Sequence, residues 1–424
     1  MKRKLPRQIC NEWRSNLWLA IELLLVSVII WYVTVSIFST LWALTESPGY
    51  DINGVYRIGH TIIPESSPMY KADRGSDEAL DHDFVEMQRR LREAPGVGAL
   101  ALSSNGIPYN YNRSGWNATL VSSQNPDSTF EKFFVTKIVS PSYPIVMQMH
   151  GYNGETPEEL AEFLRKDGFM VTANTFDDHQ EIYSKAPEHI AEDWKYSHDG
   201  GSTAPLKVLP NMRRNDYELA TSSTMIFRYM SEEGGTPPDY VGEITVRVAP
   251  GMEREFTEWI DSHMGSYLSV GNVYVNDLEP VENIRTENQR DIREFVQNRI
   301  ACIIFLMISI FLGLLGTFWF RTQQRVSEIA IRKVNGATSN MIFMRLISEG
   351  LLLLTTVTPL ALVIDWLLVK YDLIQYTFVS LATWQFVSSA VIAFGLLALM
   401  IVLGVWFPAR RAMKVDPARA LADE

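Results

Sequence analysis

Cysteine is nearly missing from this chain of 424 residues, with two in all, Cys10 and Cys302. Cys10 sits in a basic leader and Cys302 inside an apolar run, so the two cannot pair within one chain, and neither a disulfide framework nor a cysteine-held metal fits. Catalytic signatures are missing too. The seven histidines (His60, His82, His150, His179, His189, His198 and His263) form no H-E-x-x-H or other ligand spacing. There is no G-x-S-x-G and no S-x-x-K, the patterns that present an activated serine. G-x-x-x-x-G-K-[ST] is also absent, and cradling of nucleotide phosphates needs its backbone amides and lysine. These absences argue against an enzyme and against a cofactor bound by this chain.

Charge is scarce in four long apolar runs: Leu17–Leu44, Ile300–Phe320, about Leu346–Val369, and Val387–Phe407. Each reaches the roughly 20 residues that a helix needs to cross a bilayer. The first has a basic start but is too long for a signal-peptide core and lacks a small-residue cleavage site, so it reads as an anchor. The expected fold is an α-helical membrane protein with four transmembrane helices and a large mixed α+β extracytoplasmic domain between the first and second. Its parts are residues 1–44 (N-terminal segment and first span), 45–298 (the extracytoplasmic domain, ending in a helical stalk) and 299–424 (three spans and a loop at 321–345).

The charges that remain orient the chain. Residues 1–16, 321–345 and 408–424 carry 5, 5 and 4 Lys/Arg against 1, 1 and 3 Asp/Glu. The 45–299 segment carries 23 Lys/Arg against 40 Asp/Glu. Short basic loops stay inside and long domains cross largely regardless of charge. Both termini and the 321–345 loop are therefore expected in the cytoplasm. An acidic outer domain and scattered basic residues inside suit a lipid bilayer and give no nucleic-acid footprint. Among charges within the runs, Glu22 and Glu349 lie near the cytoplasmic ends and Asp365 near an outer end; reaching for the headgroups and packing between helices are both open to them. Pro359 is expected to kink the third run.

Between the first two runs, helices and strands alternate. Helices are expected over Phe84–Ala94, Thr156–Asp167 and Met252–Met264, and strands over Gly96–Leu102, Phe169–Ala173, Tyr240–Val248 and Asn272–Val275. Strand-like stretches also occur within Lys137–Gln148. The second helix carries the clearest local signal: Thr156 to cap it, Pro157 first, Glu159 third and Gly168 after its end. Asn105–Ser128 and Ser184–Asn215 are polar and take no assignment. From Val281 to Phe320 no proline or other strong breaker precedes Gly313, which predicts one helix of about 39 residues, about 58 Å long.

The segment Ser327–Thr338, SEIAIRKVNGAT, lies between the second and third runs. Val326, Ile329, Ala330, Val334 and Ala337 recur at helical spacing, and Gly336 suits a helix end with a left-handed residue. Periodicity alone also allows an amphipathic connector lying on the lipid surface. Its residues Glu328, Ile331, Arg332, Lys333, Gly336 and Ala337 fall in an E-I-x-I-R-K-x-x-G-A pattern that resembles the signature of MacB/FtsX-type ABC transporter permeases. A second stretch, with Pro408, Arg410, Arg411, Pro417 and Leu421, resembles that family's P-A-R-x-A-x-x-x-x-P-x-x-A-L ending.

The resemblance covers about 125 C-terminal residues closely and the rest in outline. It implies a MacB-like periplasmic core and a permease subunit in the bacterial cytoplasmic (inner) membrane. It also implies a separate ABC ATPase subunit that binds ATP and docks on the 321–345 loop, and a second permease copy or paralogue completing a dimer. An envelope partner protein would meet the outer domain. The function it implies is ATP-driven shape change of that domain for export or envelope-directed transport. The alternative is an FtsX-like regulator of a cell-wall hydrolase that transports nothing.

Overall fold

A computed structural model describes residues 13–109, 114–123, 127–179, 194–197, 202–220, 223–236, 238, 240–324, 331–371 and 383–412. The chain divides into two compact units: Ala43–Ile292, and Met1–Trp42 with Arg293–Glu424.

The second of these is helical. Its long helices are α1 (Trp13–Thr45), α7 (Arg290–Gln324), α8 (Ser339–Lys370) and α9 (Thr383–Ala412). All four are long and apolar enough to cross a membrane. Buried Leu23, Ile30, Trp31, Leu314, Leu354 and Leu397 share their core. Polar groups also join the helices. Glu22 accepts a hydrogen bond from the Thr317 hydroxyl at 3.1 Å, so this carboxylate is spent on a helix–helix contact rather than on the headgroups. Arg299 donates to the Tyr32 hydroxyl and the Ser36 hydroxyl at 2.7 and 2.8 Å. Asp365 does not reach outward either; it is 1% exposed and packed among protein. Helix α8 continues through Pro359.

In the Ala43–Ile292 unit eleven strands form one sheet: β1 (Val55–Ile62), β2 (Val97–Ser104), β3 (Gly115–Ser122), β4 (Thr129–Val139), β5 (Phe169–Thr172), β6 (Trp194–Ser197), β7 (Thr203–Leu209), β8 (Met225–Tyr229), β9 (Glu243–Val248), β10 (Ser269–Val270) and β11 (Val273–Pro280). The order is β10-β11-β1-β9-β2-β4-β3-β6-β7-β5-β8, and β8 also pairs in parallel with β4. That extra pairing closes six strands into a ring. Its interior is filled by alternating residues such as Leu120, Phe134, Phe169, Val171, Leu206 and Ile226.

The remaining strands carry helices on both faces. On one, α2 (Asp77–Leu91) and α5 (Glu253–His263) bury Phe84, Met87, Leu91, Phe256 and Ile260. On the other, α3 (Tyr143–Val146), α4 (Pro157–Arg165) and α6 (Val281–Asn288) pack Val146, Leu160, Leu164, Val281 and Ile284.

The capping box on α4 forms as its residues predict, with Thr156 and Glu159 each satisfying the other's backbone. The left-handed residue after it is Asp167 (φ +60°), not Gly168. Gly168 answers a different need, since a Cβ there would lie 2.4 Å from the Phe163 ring. Helix α2 begins seven residues before the expected Phe84, capped by Ser76. The strand-like character of Lys137–Gln148 stops at Val139, and Tyr143–Val146 is helical. The unassigned polar stretches supply β3, β6 and β7.

One expectation is corrected. The predicted helix from Val281 to Phe320 is two helices, α6 and α7, separated at Gln289 (φ −95°, ψ 2°). Gln289 is buried, and its side-chain oxygen accepts the Asp216 N–H at 3.4 Å. The Gln289 N–H still bonds the Arg285 carbonyl at 3.2 Å, so α6 ends at this residue while its side chain holds the 211–220 loop.

Candidate functional site

Between α7 and α8 the described chain resumes with a helical turn at Ile331–Val334. The Ala337 N–H bonds to the Arg332 carbonyl and the Gly336 N–H to the Lys333 carbonyl, both at 3.0 Å. This pair of bonds is a Schellman cap, which requires a left-handed residue at Gly336, and its φ is +87°. Thr338 immediately caps α8, its hydroxyl accepting the Met341 N–H at 3.3 Å. The chain therefore stops one helix and starts another within four residues.

The turn presents side chains in an orderly way. Ala337 packs against Ile342 and Leu346 of α8. Ile331 is 50% exposed and Val334 65% exposed. Arg332 and Lys333 are half-buried between them in sequence. A Cβ placed on Gly336 would meet nothing within 4 Å, so open space lies beyond this glycine. Glu328, Val326, Ile329 and Ala330 lie outside the described residues.

Of the C-terminal motif, Pro408, Arg410 and Arg411 fall in the last turns of α9, and Pro417 and Leu421 lie outside the described residues. The Arg410 guanidinium stacks 4.9 Å from the Trp406 ring, which meets Phe343 of α8 edge-on at 5.5 Å. Helices α8 and α9 are thus joined close to the end where the Schellman turn sits. Residues 300–417 match the family of FtsX-like permease C-terminal domains. This stretch is similar to an FtsX-like permease C-terminal domain. The match spans the first motif, the second as far as Pro417, and most of three of the four long helices. No curated protein matches the chain at a significant level. Among solved structures, the chain is similar to the extracellular domain of the noncanonic ABC-type transporter YknZ from Gram-positive bacteria. That likeness has 10% identity and a TM-score of 0.27, over 52% of this chain and 100% of that one. A likeness this slight assigns neither a partner nor a substrate.

The Ala43–Ile292 unit holds a second constellation, which no motif in the sequence marks. Loop 211–220 binds both segments by which the chain enters and leaves that unit. Arg213 donates from its side chain to the Ala43 carbonyl and from its N–H to the Pro48 carbonyl. The Ala220 N–H bonds Glu46 at 2.7 Å. On the exit side Arg285 of α6 donates to Asp216 at 2.8 Å. Within the loop, buried Arg214 and Glu218 form a two-pronged ion pair at 2.7 Å.

Aromatic rings line this clamp. The Arg285 guanidinium stacks 5.1 Å from the Tyr109 ring, which meets Tyr50 edge-on at 5.7 Å. Burial, then the charge of Asp216, pushes the Tyr109 hydroxyl up to about 12. It stays protonated at neutral pH. Nothing local marks residues 211–220 as a clamp, because the bonds to Ala43, Glu46, Pro48 and Arg285 each span 69 or more residues.

Proposed function

We propose that this FtsX-like permease is the membrane subunit of an ABC system whose ATPase is a separate polypeptide. The Schellman-capped turn carries the reading. It sets Ile331 and Val334 outward beside Arg332 and Lys333, with open space beyond Gly336, on a connection whose basic charge favours the cytoplasm. An exposed apolar pair on a rigid turn suits a groove on a partner protein.

Two permease chains, or this chain and a paralogue, would pair in the inner membrane with two ATPase subunits. ATP binding on those subunits would shift the turn. Helix α7, about 52 Å long over its 35 residues, would carry the displacement to a MacB-like extracytoplasmic domain. That domain would act on an envelope substrate or partner. The extent of the outer unit, eleven strands with helices on both faces, supports export or envelope-directed transport over regulation of a hydrolase.

Two measurements test this. A reporter active only outside the cytoplasm should be active when fused after Gly200 and silent after Thr338 or Glu424. A partner ABC ATPase should copurify with the chain and be lost with Arg332→Glu. Full copurification with both Arg332→Glu and Gly336→Val would reduce the turn to a connector on the lipid surface.

A further inference from the structure

Asp216 stands between two arginines of the clamp. Its Oδ2 accepts the Arg285 Nε–H at 2.8 Å, while its Oδ1 lies 3.9 Å from Arg213 Nη2, too far for a hydrogen bond. Asp216 Oδ1, Arg213 Nε and Gln289 Nε2 are all buried, and none has a hydrogen-bond partner among the described residues. The three residues already touch. Arg213 donates to the Asp216 carbonyl at 3.3 Å, and the Gln289 side chain accepts the Asp216 N–H at 3.4 Å. Two unmatched donors and one unmatched acceptor thus gather around a single carboxylate, and each such buried atom is costly.

The two arginines differ in what they can lose. The Arg285 side chain is 35% exposed, has a second carboxylate, Glu282, at 3.2 Å, and rests on the Tyr109 ring. Without Asp216 it keeps water and an ion pair. Arg213 is 6% exposed and donates to the carbonyls of Ala43 and Asp216, with no carboxylate at hydrogen-bonding distance. The observed pairing therefore gives the carboxylate to the arginine that needs it less.

A small rotation reverses this. Bringing Oδ1 about 1 Å nearer to Arg213 reaches hydrogen-bond length. That move satisfies Oδ1 and gives the buried guanidinium a counter-charge. It breaks the bond to Arg285, a loss that Glu282 and solvent offset because a partly exposed ion pair is weak. Opposed terms of this kind leave two arrangements close in free energy. In the first, the loop is tied to α6; in the second, it is tied to Arg213, which also holds the Ala43 carbonyl.

We propose that Asp216 exchanges between Arg285 and Arg213, and that the second arrangement releases α6 from the 211–220 loop. The clamp is then a two-position latch on the helix by which the chain leaves this unit. The second bond from the loop to the end of α6, at Gln289, is long and gives way with it.

Hydrogen exchange read by mass spectrometry on the full-length protein in detergent tests this, since α6 amides exchange from the released arrangement. Arg213→Gln removes the competing partner, so Asp216 stays on Arg285 and exchange of Val281–Asn288 should slow at least threefold. A merely structural role for Arg213 predicts the opposite sign, because its bonds to Ala43 and Asp216 are weakened. Asp216→Glu keeps the charge and adds one methylene, enough to reach both arginines at once, and should slow α6 exchange in the same way. Arg285→Gln should speed it at least threefold. Strand β9 (Glu243–Val248) serves as the control and should stay within twofold throughout. Slower α6 exchange in neither Arg213→Gln nor Asp216→Glu overturns the proposal, since a helix that is never released cannot be held further. Equal slowing in β9 would mark general stabilisation and overturn it as well. No ATPase enters this measurement, so its outcome is separable from that of ATPase docking.

Discussion

Arg285 donates its Nε–H to Asp216 at 2.8 Å across 69 residues of chain. The bond joins the helix that leaves the Ala43–Ile292 unit to a loop that also holds Ala43, Glu46 and Pro48, where the chain enters it. One loop thus bonds both the segment that enters the unit and the helix that leaves it.

The ion pair should matter more for coupling than for stability. Arg285 is one-third exposed, so Asp216→Asn should cost only about 1 kcal/mol in denaturation of the unit. Transport or ATPase stimulation should fall much further than that loss suggests. The reversed pair Asp216→Arg with Arg285→Asp should regain part of the coupling. If the swap is as inactive as either single change, geometry at these positions rather than their pairing is what counts.

At Gly336 the requirement is a backbone conformation. Asparagine tolerates a left-handed φ, whereas a β-branched side chain costs about 1–3 kcal/mol there. Gly336→Asn should therefore retain ATPase copurification and Gly336→Val should lose it. Loss with both would show that a partner approaches the glycine too closely for any side chain, which the open space beyond it allows.

Lys137 lies on β4 at 6% exposure, and burial holds its amine down at about 8. Nearby Glu243 is satisfied by the Ser103 hydroxyl and the Gly106 and Ile107 N–H groups. An unfolded lysine titrates near 10.4, so between roughly pH 8 and 10.4 the unfolded chain binds more protons and stability rises with pH. Below about pH 8 the cost is full, about 3 kcal/mol. Lys137→Met should raise stability by about 2–3 kcal/mol at pH 7, with the gain fading by about pH 10.5. Urea denaturation at both pH values checks this; equal or lower stability of the variant at pH 7 would refute it.

Helix α7 offers the direct test of transmission. Replacing Arg293 and Glu294 by a glycine pair costs about 2 kcal/mol of helix propensity, and an alanine pair none. The glycine pair should uncouple ATP hydrolysis from transport with assembly intact, and the alanine pair should be nearly silent. Equal damage by both would place the effect in side-chain contacts; silence of both would leave α7 structural.

Much of this architecture is legible in order along the chain. The apolar runs mark the four long helices because a span needs about 20 uncharged residues in succession. Thr156, Pro157 and Glu159 mark the start of α4, and Gly336 marks the end of a turn, because caps are made by neighbours in sequence. The polar stretches around β3 and β7 carry no such signal; they become strands through partners elsewhere in the chain.

What the sequence determined by itself, then, is whatever depends on residues a few positions apart: the apolar runs, the capping box, the left-handed glycine and the charge bias. Tertiary structure alone decided the six-strand ring, closed where Val135–Val139 meets Met225–Tyr229 some 90 residues later. It also decided the break at Gln289, the inward burial of Asp365, and the clamp of Arg213, Asp216 and Arg285. Periodicity and capping report local geometry. A strand's partner, a buried amide's acceptor and an ion pair across 69 residues depend on which distant surfaces meet when the apolar core closes.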